Sequence, residues 1–392
     1  MRGPEVRPIV IAAGGTGGHF FPAEALAAAL IARGHRIVLM TDQRAAARLD
    51  QPGAAGSFAG RERHVLPGAG IAGRGPWRGL RAGLALCAGT LRARRLLTRL
   101  NAAAVVGFGG YPSVPPILAA SLLRARPVSV LHEQNAVLGR ANRWLARRAD
   151  VLALGFAGTA RLPAGVPAVV TGNPVRPAIM TLAAHPYTPF AAHPDATPDD
   201  RIALFVVGGS LGARVFSDVV PAALALLPAK LRARLSVTQQ CRAEDLDRVR
   251  AAYAASGIAA TLAPFFNDIA AQLAHAHLVI ARAGASTVAE LAVAGRPAIL
   301  VPLPGAIDAH QTAKARALAA GGGAVIIAQP ACTPDGLAER VGALLADPAA
   351  LARAAASAAA QGRADAAARL ADLVETRIAR ARPAAAAQET RA

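Results

Sequence analysis

The sequence is poor in aromatic residues and cysteine, and both shortages exclude classes of protein. Aromatic residues make up only 4% of the 392 residues, which argues against single-stranded nucleic-acid binding, because such proteins stack bases on aromatic rings. The three cysteines, Cys87, Cys241 and Cys332, lie far apart and provide neither a disulfide framework nor a metal knuckle. We therefore expect no nucleic acid and no metal among the ligands, and a reducing cytoplasmic environment.

Acidic residues and long apolar runs are also scarce. Basic residues outnumber acidic ones by 43 to 24, for a formal charge of +19, which favours anionic surfaces or substrates. Nearly all of them are arginine in an alanine-rich chain, which is equally typical of a coding bias. No apolar run reaches the ~18 to 20 residues that span a bilayer, and the N-terminus has no signal-peptide pattern. A soluble or peripheral protein of two domains is predicted.

Two similar segments each combine an apolar strand with a glycine turn. Ile9–His19 reads IVIAAGGTGGH, and Ala203–Arg214 reads ALFVVGGSLGAR. This order is typical of a parallel strand that leads into a helix, and the unpaired N–H groups at such a helix start suit a phosphate. Neither segment has the complete dinucleotide fingerprint with its acidic residue. Two nucleotide-type folding units with a cleft between them are predicted.

Polar loops follow the other strands predicted in the N-terminal half. Strands at Ala102–Val106 and Val128–Leu131 lead into Gly107–Ser113 and His132–Asn135, and a helix is predicted over Pro22–Arg33. Alternating strands and helices indicate a parallel sheet covered on both faces. Ligands of such sheets bind at the carboxyl ends of the strands, so we expect these loops to form a site.

Composition divides the chain into five segments. A stretch rich in alanine, proline, threonine and histidine indicates a linker, and the alanine-rich C-terminal part has helical composition before it ends in a tail. The prediction is an N-terminal domain at 1–175, a linker at 176–200, a C-terminal domain at 201–350, a C-terminal helix at 351–382 and a disordered tail at 383–392.

Single titratable residues in these loops have both functional and structural interpretations. His19, after the first glycine turn, is a candidate general base, because a helix N-terminus favours the neutral imidazole. A lone histidine there is also commonly a cap or core residue, and the same holds for His132. Thr287 and Glu290 have the spacing of a capping box, which is the structural interpretation. In the functional interpretation, Glu290 binds two sugar hydroxyls while the turn amides hold a phosphate.

Apolar and cationic residues alternate over Ile71–Leu100, which includes Trp77 and several arginines. Such a segment can lie on an anionic membrane surface with its apolar side in the headgroup boundary. An ordinary amphipathic helix packed on the sheet has the same pattern.

Seven motifs occur in the order typical of the MurG family, and the chain resembles that family from about residue 8 to residue 345. The motifs are Gly14–His19, Gly107–Tyr111, His132–Asn135, Gly172–Arg176, Gly208–Arg214, Arg282–Ala285 and His310–Gln311.

The resemblance implies an α/β fold of the GT-B type, in which two Rossmann-like domains face across a cleft and the last helix returns to the N-terminal domain. It also implies an inverting glycosyltransferase that moves GlcNAc from UDP-GlcNAc to the 4-hydroxyl of MurNAc in undecaprenyl-linked lipid I, giving lipid II for peptidoglycan. Neither a cofactor nor a metal is expected. The implied location is the cytoplasmic face of the bacterial inner membrane, peripherally bound, with a cell-wall complex as a further partner.

The resemblance also assigns roles to individual residues. His19 is the expected base, with Glu133 and His132 as alternatives. Thr16, Gly17 and Gly18 are expected near the diphosphate of the acceptor. The donor contacts are expected from Glu290 on the ribose, the backbone at Phe266 on the uracil, Ser210, Arg176, Ala285, Ser286 and Thr287 around the pyrophosphate, and Asn135 and Gln311 on the GlcNAc side.

Three residues depart from the family pattern, and other functions compete. Lys314 stands where asparagine is usual, Ala281 replaces a serine or cysteine, and Ser217 replaces an asparagine, which affects the expected sugar contacts more than the reaction class. The alternatives are a GT-B transferase with another lipid acceptor, a UDP-GlcNAc epimerase, and a non-enzymatic protein recruited to anionic membranes.

Overall fold

The computed structural model describes residues 7–50, 56–67, 76–190, 201–209, 212–305 and 310–389, with the side chains of 48, 76–80, 310 and 382–389 left out. It divides the chain into two compact units. The first comprises residues 1–176 and 365–392, and the second comprises residues 177–364.

A parallel sheet of seven strands in the order β3-β2-β1-β4-β5-β6-β7 forms the centre of the first unit. The strands are β1 (Ile9–Ala12), β2 (Ile37–Thr41), β3 (Arg63–Val65), β4 (Ala104–Gly107), β5 (Val128–Glu133), β6 (Val151–Leu154) and β7 (Ala168–Val170). The helices are α1 (Gly17–Ala32), α2 (Gln43–Leu49), α3 (Pro76–Leu100), α4 (Val114–Ser121) and α5 (Arg140–Leu145).

Both faces of this sheet are buried, as the near-continuous apolar strands predict. Ile9 and Ile11 belong to one core cluster with residues of α1, whereas Val10 belongs to a second cluster with residues of α3 and α4. Successive side chains of a strand point to opposite faces, so the run Ile9–Ile11 serves two layers of helices. Burial of each such side chain contributes roughly 1.5 to 3 kcal/mol.

The second unit repeats this plan with six parallel strands in the order β10-β9-β8-β11-β12-β13. The strands are β8 (Ile202–Val207), β9 (Leu235–Gln240), β10 (Ala259–Ala263), β11 (Leu278–Ala281), β12 (Ala298–Leu300) and β13 (Ala324–Ile326). The helices are α6 (Pro177–Met180), α7 (Arg214–Ala225), α8 (Ala229–Arg234), α9 (Leu246–Ala255), α10 (Ile269–His275), α11 (Ala285–Ala294), α12 (His310–Ala320), α13 (Pro334–Leu345) and α14 (Pro348–Gln361).

The C-terminal segment forms two helices instead of the single helix predicted at 351–382. α14 belongs to the second unit, and a new helix α15 (Ala366–Glu389) belongs to the first. Gly362 separates them with an extended backbone (φ −64°, ψ 140°), and a Cβ there would lie 2.8 Å from the carbonyl oxygen of Ala292. The disordered tail predicted from 383 is not observed over 383–389, where alanine-rich sequence continues the helix. Residues 390–392 lie outside the described residues.

The linker and the first helix also differ from prediction. α6 and a short 3₁₀ helix at Thr181–Ala184 occupy the start of the predicted linker 176–200, and Ile179 and Leu182 are buried there. Apolar side chains in an otherwise linker-like composition explain this packing, whereas 191–200 lie outside the described residues. α1 begins at Gly17, five residues before the predicted Pro22. The described part of the chain contains no helix that is long and apolar enough to cross a bilayer.

The return of α15 to the first unit depends on an apolar contact. Leu370, Ala371 and Val374 are fully buried in the core cluster that also contains Ile9 and Leu26. We predict that Leu370→Ala lowers the free energy of unfolding of the first unit by about 2 to 5 kcal/mol, through lost burial and a cavity. Urea titration followed by circular dichroism measures this change. The exposed Thr376→Ala on the same helix is the control, and equal midpoints for both variants would contradict the packing.

Candidate functional site

The strand order of each sheet reverses next to its first strand, which is where ligands of open parallel sheets bind. In the first sheet β1 lies between β2 and β4, and in the second β8 lies between β9 and β11. The glycine turns predicted from the sequence follow β1 and β8. The expected site residues therefore fall into two groups, one at the carboxyl edge of each sheet.

His19 lies in the first turn of α1, directly against the loop that follows β4. Its ring is 3.4 Å (Cδ2) from the point where a Cβ would stand at Gly109 and 3.7 Å (Cε1) from that point at Gly110, which is ordinary contact distance. The positive φ of both residues, 83° and 68°, is what favours glycine there. Thr16, the residue before the helix, places Oγ1 3.2 Å from His19 Nδ1. In the tautomer in which Nδ1 donates to Thr16, Nε2 carries the lone pair that accepts a proton.

His132, the first alternative base, is buried in the core of the first unit. Its Nε2–H donates to the carbonyl of Gly172 at 3.1 Å, and its ring lies 5.2 Å from that of Phe108, centroid to centroid. Burial lowers the pKa of His132 to about 4; the hydrogen bond to Gly172 opposes this shift and the charge of the nearby His19 adds to it. A neutral, fully buried imidazole fits a structural role better than proton transfer to solvent-borne substrates.

Glu133, the second alternative base, uses both carboxylate oxygens within the protein. Oε1 accepts the backbone and side-chain N–H groups of Asn135, both at 2.8 Å. Oε2 accepts the backbone N–H of Gly139 at 2.8 Å and the side-chain amide of Asn142 at 3.0 Å. These four bonds fix the loop that carries Asn135, so the carboxylate positions a proposed sugar-binding residue.

Asp42 is a residue of this edge that the sequence analysis did not identify. Its Oδ2 accepts the hydroxyl of Tyr111 at 2.8 Å, and its Oδ1 accepts the N–H of Ala45 at 2.8 Å, at the start of α2. Burial and the carboxylate raise the pKa of Tyr111 to about 12. A Cβ at Gly14 would lie 2.8 Å from Asp42 Oδ2. The available signal was an aspartate directly after β2 at helix-capping distance.

Gln240 connects the glycine turn after β8 to the loop after β10. The N–H of Gly208 donates to Gln240 Oε1 at 3.0 Å, and Gln240 Nε2 donates to the carbonyl of Pro264 at 3.1 Å. A Cβ at Gly208 would collide with the backbone nitrogen of Ala213. The Phe266 ring is buried against Phe205 at 6.1 Å, which holds this loop in place. Ser210 lies outside the described residues.

The capping box predicted for Thr287 and Glu290 is wrong. α11 begins at Ala285 after Gly284, whose extended backbone (φ −64°, ψ 152°) makes it the N-cap, three residues before Thr287. Thr287 is therefore the third helical residue, and Glu290 lies in the second turn with 6% of its surface exposed. The N–H groups of Ala285, Ser286 and Thr287 form the first turn, where helices bind anions.

Two other motif residues connect neighbouring loops at this edge. The buried guanidinium of Arg282 donates to the carbonyls of Val301 and Pro302 at 3.1 and 3.3 Å and to Gln329 Oε1 at 2.6 Å, and burial lowers its pKa. Gln311 Oε1 accepts the N–H of Leu303 at 2.9 Å. Arg282 thus joins the ends of three strands, and Gln311 joins α12 to the loop after β12.

The three departures from the family pattern are all buried. Ala281 and Lys314 have no exposed surface, and Ser217 is 2% exposed with its hydroxyl 3.4 Å from Cys241 Sγ. These substitutions therefore change the interior of the second unit.

Comparison with known proteins identifies the family. Residues 9–154 match the glycosyltransferase family 28 N-terminal domain, and residues 203–370 match the glycosyltransferase family 28 C-terminal domain. The chain belongs to this family, and its two parallel sheets have the Rossmann-like architecture that the sequence predicted.

Relatives match over nearly the whole chain. A protein of Granulibacter bethesdensis is 62% identical over 96% of this chain and 95% of its own, and one of Acidiphilium cryptum is 55% identical over 97% and 99%. Both are named UDP-N-acetylglucosamine–N-acetylmuramyl-(pentapeptide) pyrophosphoryl-undecaprenol N-acetylglucosamine transferase.

Solved structures agree with this assignment. The crystal structure of Acinetobacter baumannii MurG is 32% identical and covers 94% of this chain and 98% of its own, with a TM-score of 0.71. A putative UDP-N-acetylglucosamine 2-epimerase from Listeria monocytogenes covers 94% and 95% with a TM-score of 0.62, but at 15% identity it shares only the fold.

The low pKa of His132 predicts a pH dependence of stability. The unfolded chain binds a proton near pH 6.5 and the folded chain only near pH 4, so stability falls as the pH decreases through this window. Between pH 6.5 and 5 this residue removes about 2 kcal/mol. We predict that His132→Gln loses less stability over this range than the wild type in urea titrations at each pH. The exposed His185→Gln is the control, and an unchanged pH slope for His132→Gln would refute the assignment.

Proposed function

We propose that this protein transfers GlcNAc from UDP-GlcNAc to the 4-hydroxyl of the MurNAc residue of undecaprenyl-diphospho-MurNAc-pentapeptide, giving lipid II for peptidoglycan synthesis. The observation that carries the proposal is identity of 62% over 96% of the chain to a relative with that name. The glycine turn with His19 and the first turn of α11 supply the chemistry that such a transfer needs.

In the proposed reaction His19 Nε2 takes the proton of the acceptor 4-hydroxyl as that oxygen bonds to the anomeric carbon of the donor. The bond from the anomeric carbon to the diphosphate breaks, and UDP leaves with the bonding electrons, so the anomeric configuration inverts. Among the three candidate bases, His19 alone is partly exposed, and it lies next to a glycine turn with Nδ1 beside Thr16 Oγ1. Glu133 and His132 act in this proposal by holding the neighbouring loop.

The leaving diphosphate is stabilised by helix N-termini in this proposal. The donor pyrophosphate is bound by the first turn of α11, which comprises Ala285, Ser286 and Thr287. Arg176 and Ser210 also bind it. Each helix terminus contributes about 0.3 to 2 kcal/mol, so several groups must act together. Glu290 binds the ribose hydroxyls, the backbone at Phe266 binds uracil, and Asn135 and Gln311 bind the GlcNAc. Thr16, Gly17 and Gly18 adjoin the diphosphate of the acceptor.

A transfer assay tests this function. Purified protein is incubated with labelled UDP-GlcNAc and a short-chain lipid I analogue in EDTA, and we expect GlcNAc on the acceptor. His19→Gln should lower kcat by about 10²- to 10⁴-fold, the usual contribution of a general base, with little change in KM for UDP-GlcNAc. His275→Gln, an exposed histidine of the second unit, is the matched control.

Other outcomes of this assay identify the competing functions. Production of ManNAc in the absence of acceptor would identify an epimerase. Transfer to other lipids but not to the lipid I analogue would identify a different transferase. A wild-type kcat for the His19→Gln variant would exclude His19 as the base and would leave Glu133 and His132 as the candidates.

We also propose that the protein binds the cytoplasmic face of the inner membrane through α3. One side of this helix packs on the sheet with Ala93, Leu96 and Leu97 buried. The opposite side exposes 62% of Leu84 and 55% of Leu91 among several arginines. The buried side is that of a helix packed on the sheet, and the exposed leucines and arginines support the proposed membrane contact. The side chains of Trp77 and Arg78 lie outside the described residues.

Vesicle binding measures this contact. We predict that Leu84→Ser with Leu91→Ser weakens co-sedimentation with cardiolipin-rich vesicles at least about tenfold, since more than about 1.4 kcal/mol of apolar burial is lost. Turnover of a short-chain acceptor should not change. Leu226→Ser, at 55% exposure in the second unit, is the matched control. Equal vesicle binding by the double variant would exclude this side of α3.

A further inference from the structure

The side chain of Arg176, the last residue of the first unit, packs against an aromatic ring. Its guanidinium carbon lies 4.5 Å from the centroid of the Phe21 ring, in the range of a cation–π contact. Phe21 lies on α1, two residues after His19. A side chain with many rotamers is therefore stacked on a ring that belongs to the proposed catalytic helix.

The same ring packs against the glycine turn. A Cβ at Gly17 would lie 2.7 Å from Phe21 Cε2 and 3.2 Å from Cδ2, so the ring occupies the space that a side chain at residue 17 would need. Gly17 and Phe21 are one helical turn apart, which brings them together on one side of α1. The Phe21 ring thus contacts both the first turn of α1 and the guanidinium of Arg176.

Glu24 adds an electrostatic interaction to this arrangement. It lies one turn beyond Phe21 on α1, and its charge interacts with that of Arg176. Burial raises the pKa of Glu24, while a bond from the backbone N–H of Ser57 and the charge of Arg176 act in the opposite direction. The carboxylate is therefore anchored, and it attracts the guanidinium towards the same side of α1.

We propose that Phe21 is a positioning residue that holds the guanidinium of Arg176 on one side of α1, in the orientation in which it binds a substrate diphosphate. Glu24 supports this orientation by charge. The inference rests on the proposed function, in which Arg176 binds a substrate diphosphate, and it adds why this arginine is oriented before substrate arrives. Phe21 touches no reacting atom and acts only through Arg176.

Variants of Phe21 in two backgrounds test the proposal. Phe21→Leu removes the aromatic face and keeps apolar volume, and we expect KM for a diphosphate substrate to rise about 3- to 10-fold, the factor of a lost cation–π contact. The kcat should stay within about twofold, because His19 remains. Phe21→Tyr keeps the face and should restore the KM. In an Arg176→Ala background, Phe21→Leu should have no further effect.

Separate titrations of UDP-GlcNAc and of the lipid I analogue identify which diphosphate is bound, and calorimetry with UDP alone measures binding without turnover. Glu24→Gln, with similar shape and no charge, is a second probe that should also raise KM only when Arg176 is present. It keeps the test valid if Phe21→Leu does not fold.

The outcomes separate the inference from the proposed function. Additive effects of Phe21→Leu and Arg176→Ala, or a normal KM for Phe21→Leu while Arg176→Ala raises it, would overturn the positioning role alone. If Arg176→Ala left the KM values and the UDP affinity unchanged, Arg176 would not bind a diphosphate. The inference about Phe21 would then be wrong as well. Loss of transfer in the wild type would contradict the proposed function before any variant is compared.

Discussion

The arrangement of both loop groups depends on glycines that allow other atoms to approach the backbone. Asp42 lies against Gly14, Phe21 against Gly17, His19 against Gly109, and the backbone of Ala213 against Gly208. At Gly109, with φ at +83°, the backbone conformation itself also favours glycine. Each close approach brings a polar or aromatic group within contact of a turn that offers N–H groups. A methyl group at Gly14, Gly17 or Gly208 would force these neighbours to move, whereas at Gly109 it is the positive φ that disfavours one.

The hydrogen bonds of the buried carboxylates in the first unit indicate structural rather than catalytic roles. Glu133 is buried and accepts four bonds from its own loop, and Asp42 is buried and accepts from Tyr111 and Ala45. A carboxylate with all its partners inside the protein stabilises a loop and is poorly placed to accept a substrate proton. These structural roles leave proton transfer to a residue at the edge of the site.

The strands and glycine turns could be predicted from the sequence because both are local signals, an apolar β-branched run followed by glycine. Long-range contacts could not. Asp42 and Tyr111 are 69 residues apart, and nothing near Asp42 indicates its partner. α14 ends at Gly362, where the backbone is extended and packs against Ala292, whereas alanine-rich sequence has similar helix propensity on both sides of that glycine. At α11, spacing alone favoured a capping box, but the backbone at Gly284 starts the helix earlier.

Solvent exposure explains why His19 and His132 have different properties although both are imidazoles close to one glycine loop. A general base near neutral pH must reach its substrate and must exchange its proton with water after each turnover. His132 lies in the core, where burial holds its pKa near 4, and its Nε2–H is bound to Gly172. His19 is partly exposed, Thr16 Oγ1 lies beside one ring nitrogen, and the ring contacts the loop at Gly109 and Gly110.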